Sequence, residues 1–217
     1  MGAQAVTGEV VLPPMKLARQ RGRPRDQDSA DTRLRILNVA MAMFARDGYE
    51  VTTNRSIAEA SGAIYHYFAS KAELYAAVFE AVVDRVFSVF ETAIVERSTL
   101  VEQYAAVLDV VAMHNRQDPT LPAFVVGVAS DAQRHPELDD LLRPSRRRSA
   151  TFFRCLVRQA ADRGELPPGT DLRAVEDLLN AVVSGLARLS AVTGDPRRHA
   201  TAVDALQRFL AGTLMTR

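Results

Sequence analysis

Residues 57–74 read Ile57-Ala58-Glu59-Ala60-Ser61-Gly62-Ala63-Ile64-Tyr65-His66-Tyr67-Phe68-Ala69-Ser70-Lys71-Ala72-Glu73-Leu74, two short patterns pressed together at Ser61-Gly62. Ahead of them Thr52-Thr53 supplies N-cap candidates, because a hydroxyl can accept one of the free N–H groups at a helix start. The short helix so begun contains Ile57 and Ala60. Ser70-Lys71-Ala72-Glu73 has the S-x-x-E form of a capping box, which predicts a second helix start. From there Tyr75, Phe79, Val82, Val86, Phe90 and Ala93 recur on one stripe, with Glu80, Asp84, Ser88 and Glu91 on the other side. A long amphipathic helix of this kind must pack its apolar face on something.

The same period extends outward in both directions. Over 32–46, Ile36, Leu37, Ala40, Met41, Phe44 and Ala45 fall at helical spacing, and Gly48 follows as a helix-ending glycine. Asp26, Asp28 and Asp31 sit ahead of it, where acids favour a helix N-terminus. Residues 1–28 carry no period and hold Lys16, Arg19, Arg21, Arg23 and Arg25, which predicts a mobile, disordered basic arm. Downstream, helices are predicted over 100–114, 119–132, 149–163, 172–191 and 203–214. The run Phe124-Val125-Val126-Gly127-Val128 could form a buried strand, but no partner strand occurs elsewhere, so it is read as helix. The fold class is all-α with roughly nine helices.

Composition bounds the function. The 217 residues hold 27 Lys+Arg against 26 Asp+Glu and are 47% hydrophobic, enough to bury a core. The one cysteine, Cys155, excludes an internal disulfide framework and any cysteine-based metal site, and its apolar context predicts a buried thiol. No apolar run approaches the ~20 residues of a membrane span, and Val10-Val11-Leu12 is too short for a signal sequence. A cytoplasmic protein without a membrane partner is expected. His66, His114, His135 and His199 are too far apart in sequence for a metal pair on one helix face, and no phosphate loop or nucleophile elbow occurs. No enzyme, metal or cofactor is expected.

The module at 32–79 resembles the N-terminal part of the TetR family of bacterial transcriptional regulators. The resemblance rests on Ile36-Leu37, Ala40, Phe44-Ala45, Gly48-Tyr49, Thr53, Ile57-Ala58, Ala60, Gly62, Ile64-Tyr65, Phe68, Ser70-Lys71, Glu73-Leu74 and Val78. It implies a helix-turn-helix, in which one helix crosses the phosphate backbone and the next enters the major groove of double-stranded DNA. By that resemblance Ser61, Gly62 and Ala63 lie near base edges, Tyr65 and His66 near phosphates, and Thr53 caps the supporting helix. Lys71 matches the family's phosphate-contacting lysine. Tyr65 and Phe68 are equally expected as packing aromatics. The resemblance divides the chain into an arm at 1–28, a DNA-binding module at 29–75 and a ligand-binding and dimerisation domain at 76–217.

The chain departs from the family pattern at the centre of that module. Relatives usually carry four more residues between the Ile57-Ala58 helix and the Tyr65 motif. What remains, 63–68, would span only ~9 Å as a helix, too short to present several side chains to a groove. Two outcomes are open. Ile57, Ser61, Ile64 and Phe68 share one helical face, so a single fused helix is possible; alternatively a short turn survives at Ser61-Gly62.

Arg21, Arg23 and Arg25, spaced by Gly22 and Pro24, have the form of a minor-groove insert. Arg143, Arg146, Arg147 and Arg148 are read as a solvated or partner-facing surface in a connection between helices. A small apolar effector would sit between helices, with Phe90, Met113, His114, Phe124, Phe152 and Phe153 as candidate lining; each could equally be core, and His114 a surface residue. A homodimer is expected through the last two helices. Small residues at Ala181 and Gly185 let helices approach closely beside Leu178, Val182, Leu189, Leu206 and Leu210. The family mechanism so implied is a population shift, an effector changing the spacing of two modules on a palindromic operator.

Overall fold

The computed structural model describes residues 24–61, 64 and 66–215, with side chains from 29 onward. Arg21, Arg23, Gly62, Ala63 and Tyr65, and the side chain of Arg25, lie outside the described residues. Among those described there are eight α-helices and no strand: α1 Pro24–Val51, α2 Asn54–Ser61, α3 Lys71–Ile94, α4 Leu100–Gln117, α5 Thr120–Arg134, α6 Glu137–Asp162, α7 Leu172–Thr193 and α8 Pro196–Leu210. None is long and apolar enough to cross a membrane.

Local chemistry sets most boundaries. The Thr53 hydroxyl accepts the Ser56 N–H at 3.1 Å, and the Ser56 hydroxyl accepts the Thr53 N–H at 3.2 Å, a reciprocal cap on α2. Ser70 accepts the Glu73 N–H at the start of α3, while Glu73 reaches back to the Ala69 N–H rather than to Ser70. Thr99 with Glu102 forms a full capping box on α4, and Asp171 and Asp195 cap α7 and α8. Caps of this type contribute about 1 kcal/mol each. Gly194 closes α7 in the left-handed region at φ 59°.

Three boundaries differ most from the sequence reading, the last helix running 196–210 rather than 203–214. α1 begins at Pro24, inside the stretch read as the arm, and Pro suits a first helical position because its missing N–H would be unpaired there anyway. α6 runs unbroken through Pro144 from Glu137, so Arg143, Arg146, Arg147 and Arg148 lie on a helix and not in a connection. Arg143 and Arg146 pair with Asp139, and Arg148 with Asp84 and Glu91. These partners on α3 and in the first turns of α6 neutralise most of the cluster.

The core is one continuous apolar body. Ile36, Leu37, Ala40, Met41 and Phe44 of α1 are buried where α1 packs on α3 and α5. α3 is covered by α1, α4 and α6, so Val78, Val83 and Phe87 are buried beside the predicted stripe. α8 packs on α4 and α7, closing the far end.

Candidate functional site

Between α2 and α3 the backbone has no helix among the described residues. The Ile64 carbonyl accepts the Tyr67 N–H at 3.0 Å and the Phe68 N–H at 3.2 Å, a single turn. The fused helix does not form: α2 stops at Ser61, whose buried hydroxyl donates to the Ile57 carbonyl at 2.7 Å. Ile57, Ser61, Ile64 and Phe68 are nevertheless all buried. They share the inside of the module as separate anchors of a tight crossing, not as one helical face. Ile64 and Phe68 are thereby committed to the core.

The remaining side chains at this end are placed as follows. His66 is exposed. Thr53 is exposed and engaged in the α2 cap. Lys71 donates to the Tyr49 carbonyl at 2.8 Å, with its ammonium 4.2 Å from the centre of the Tyr49 ring. The Arg33 guanidinium lies 5.3 Å from the centre of the Phe68 ring.

Tyr49 belongs to a corner that ties the module to the rest of the molecule. Gly48 adopts φ 77° and ψ 171°, a region open essentially to glycine alone, and turns the end of α1 so that Tyr49 points inward. Thr52, itself buried, donates to the Gly48 carbonyl at 2.8 Å. The Tyr49 ring meets Tyr75 at 4.9 Å and His135 at 4.8 Å, and Tyr75 meets Phe44 at 4.8 Å and Phe124 at 5.4 Å, all edge-on. Glu50 pairs with His135 at 3.0 Å. Sequence spacing offered no sign of Asp131, which accepts from Tyr75 and Arg134 across this junction.

Farther along α3 and α5 lies a cavity of about 150 Å³. Its wall takes Phe79, Phe87 and Phe90 from α3, Leu121 and Val125 from α5, and Phe153 from α6. His114 of α4 and His199 of α8 also face it, as do Asn180 and Ser184 of α7. Of the candidate lining residues, Phe90, His114 and Phe153 line it. Met113 does not, Phe124 lies in the aromatic junction with Phe44 and Tyr75, and Phe152 faces a separate cleft beside Cys155. His114 is buried, and burial pushes its pKa down to about 4, with the Arg85 charge adding to the shift. His199 is shifted down by burial and by Arg116. The helical period of α3 already grouped Phe79 with Phe90; nothing in Arg197-Arg198-His199 marked His199 as an interior residue.

On the opposite side of α7, Leu178 is 60% and Val192 74% exposed, with Ala181 and Gly185 exposed and Val182 and Leu189 half-buried between them. Phe209 of α8 is 55% exposed beside the half-buried Leu206 and Leu210. Cys155 is exposed, contrary to the buried thiol expected, because the α6 surface that carries it faces an open cleft with Gln159 and Thr151.

A small module of capped helices is thus mounted on a cavity-bearing helical body, the architecture shared by regulators with which the chain compares. The description "Bacterial regulatory proteins, tetR family" matches residues 36–78, and "BetI-type transcriptional repressor, C-terminal" matches residues 100–215. The chain belongs to the TetR family of transcriptional regulators. It is 27% identical over 183 residues to the HTH-type transcriptional repressor ComR of Escherichia coli K12, covering 78% of this chain and 82% of that protein. It is 24% identical over 192 residues to the regulator UidR of the same organism, covering 86% and 95%. Among solved structures, Salmonella enterica GusR superposes with a TM-score of 0.71 at 25% identity, covering 90% of this chain and 99% of that one. FadR from Bacillus subtilis, solved in complex with stearoyl-CoA, superposes with a TM-score of 0.74 at 16% identity over 84% and 99%, a likeness of fold.

Proposed function

We propose that the chain is an effector-responsive regulator of repressor type, acting in the cytoplasm as a homodimer on double-stranded DNA. The observation that carries this reading is the continuity of α3 and α5. Each runs unbroken from the cavity wall, at Phe87 and Val125, to the module junction, at Tyr75 and Asp131. A small apolar effector that fits one tilt of these helices shifts the population of module positions. Leu178, Ala181, Val182, Gly185 and Leu189 of α7 pair with their copies, together with Leu206 and Leu210 of α8, and two-fold symmetry suits a palindromic operator. The working division is an arm at 1–28, a module at 29–75 and a body at 76–217.

The lack of a helix between Ser61 and Lys71 among the described residues favours a second reading of the DNA end. The dimer and cavity are kept, while specific operator affinity is weakened. Arg21, Arg23 and Arg25, with Thr53, Tyr65, His66 and Lys71, then hold phosphate and minor groove, and Ser61, Gly62 and Ala63 no longer read base edges. Selection of bound DNA from a random pool at physiological salt tests this. Flat enrichment with steep salt dependence supports the weakened reader; enrichment of a palindrome restores the operator-specific one.

A further inference from the structure

The cavity's polar groups define the chemistry of what it holds, an inference that rests on reading the cavity as the effector site. Its wall is largely apolar, and its buried polar residues are His114, Asn115 and His199; Asn115 pairs with Ser190, whereas His114 and His199 are 4% and 1% exposed. Nε2 of His114 and both ring nitrogens of His199 are buried without a hydrogen-bond partner among the described residues. Buried polar groups are ordinarily paired, so an unpaired nitrogen on each of two rings facing one cavity points to a ligand group that reaches both rings.

The character of that group follows from charge. No Asp, Glu, Lys or Arg is among the residues lining the cavity. A carboxylate or ammonium placed there would leave water without a charged side chain in the lining to contact it. Arg85, whose guanidinium lies 3.8 Å from Asp118, and Arg116 act on the two histidines from outside the wall, and their charge turns a cation away. Burial holds both imidazoles neutral near neutral pH, and a neutral imidazole offers one N–H donor and one acceptor nitrogen. A hydroxyl is a small uncharged group that both donates and accepts through a single atom, more strongly than a thiol does. We propose that the cavity binds an uncharged apolar alcohol or phenol, its hydroxyl held by His114 and His199 and its carbon body by the phenylalanines of α3.

Isothermal titration calorimetry of the full chain at neutral pH, without DNA, tests this with naphthalene, 2-naphthol, 2-naphthoate and 2-naphthylmethylamine. The expected result is 2-naphthol tighter than each of the other three by about ten-fold, the scale of a satisfied hydrogen bond. In His114→Leu and His199→Leu that preference over naphthalene collapses while naphthalene still binds, and His114→Gln, which keeps a donor and an acceptor, retains it. Naphthoate binding as tightly as naphthol, a preference that survives both leucine variants, or no binding by any of the four overturns the proposal. Naphthol binding without any change in DNA affinity would refute the effector reading and leave this one standing. Naphthoate preferred, with DNA released, would do the reverse.

Discussion

The Tyr75 hydroxyl donates to Oδ2 of Asp131 at 2.7 Å, joining the first turns of α3 to the last turns of α5. Asp131 is 5% exposed, and its other oxygen accepts from Arg134 at 2.9 Å, so both oxygens of a buried carboxylate are engaged. Burial, reinforced by Asp131, holds the Tyr75 phenol above its ordinary range. Tyr75→Phe strands Oδ2 in the core at a cost of about 1–3 kcal/mol. A drop in Tm of about 2–4 °C per kcal/mol is expected. A double-mutant cycle with Asp131→Asn, read by thermal melts, should return a coupling above about 0.5 kcal/mol.

Gly48 makes a separable contribution. A Cβ there would meet nothing within 4 Å, so the cost of Gly48→Ala is that of the backbone conformation alone. About 1–3 kcal/mol of destabilisation is expected, read by urea melts with the m-value unchanged. Loss of the Tyr49 anchor would accompany it, visible as weaker protection of α1 amides from exchange.

The buried imidazole of His114 makes stability depend on pH. In the unfolded chain a histidine titrates at about 6.5, whereas in the fold burial pushes His114 down to about 4. The unfolded state therefore binds the proton more readily. The contribution is intact above about pH 6.5 and is lost as pH falls toward about 4, by roughly 3 kcal/mol at most. His199 is shifted the same way and adds the same sign. His114→Leu is expected to flatten the fall of Tm with acid relative to the parent chain.

Leu178, Val192 and Phe209 present an apolar face that no described residue of the chain covers. Leu178→Glu combined with Phe209→Glu places like charges across a two-fold contact of α7 and α8. Light scattering after size exclusion is expected to give twice the chain mass for the parent and the single-chain mass for the variant. Identical masses for the two would contradict the proposed interface.

Much of the fold was legible where a local rule and a tertiary need agree. Thr53, Ser70 and Gly194 each mark a helix end that the backbone requires, and the apolar period of α1 and α3 is the face they bury. α5 followed from the lack of any strand to pair with Val125 and Val126. The α6 boundary was less legible, because Pro144 reads as a helix breaker while acids at Asp139 and Asp140 favour a helix start upstream. At the cavity, Phe124 and Phe90 are the same residue type at helical positions; only the approach of α1 sends one to the junction and leaves the other on the wall. His199 and Asp131 were invisible as a pair of interior polar groups, because their neighbours come from other helices.

The DNA end is where a local departure has the largest consequence, since Ile64 and Phe68 take core positions and the described residues between α2 and α3 form a single turn. The direct test compares the chain with a variant carrying four residues inserted between Gly62 and Ala63, by fluorescence anisotropy on the DNA upstream of its own gene across a salt series. Tighter binding by the inserted variant, by about a hundred-fold or more, is expected, with the parent showing only salt-sensitive association. Equal nanomolar binding by both would contradict the claim that the groove reader is truncated.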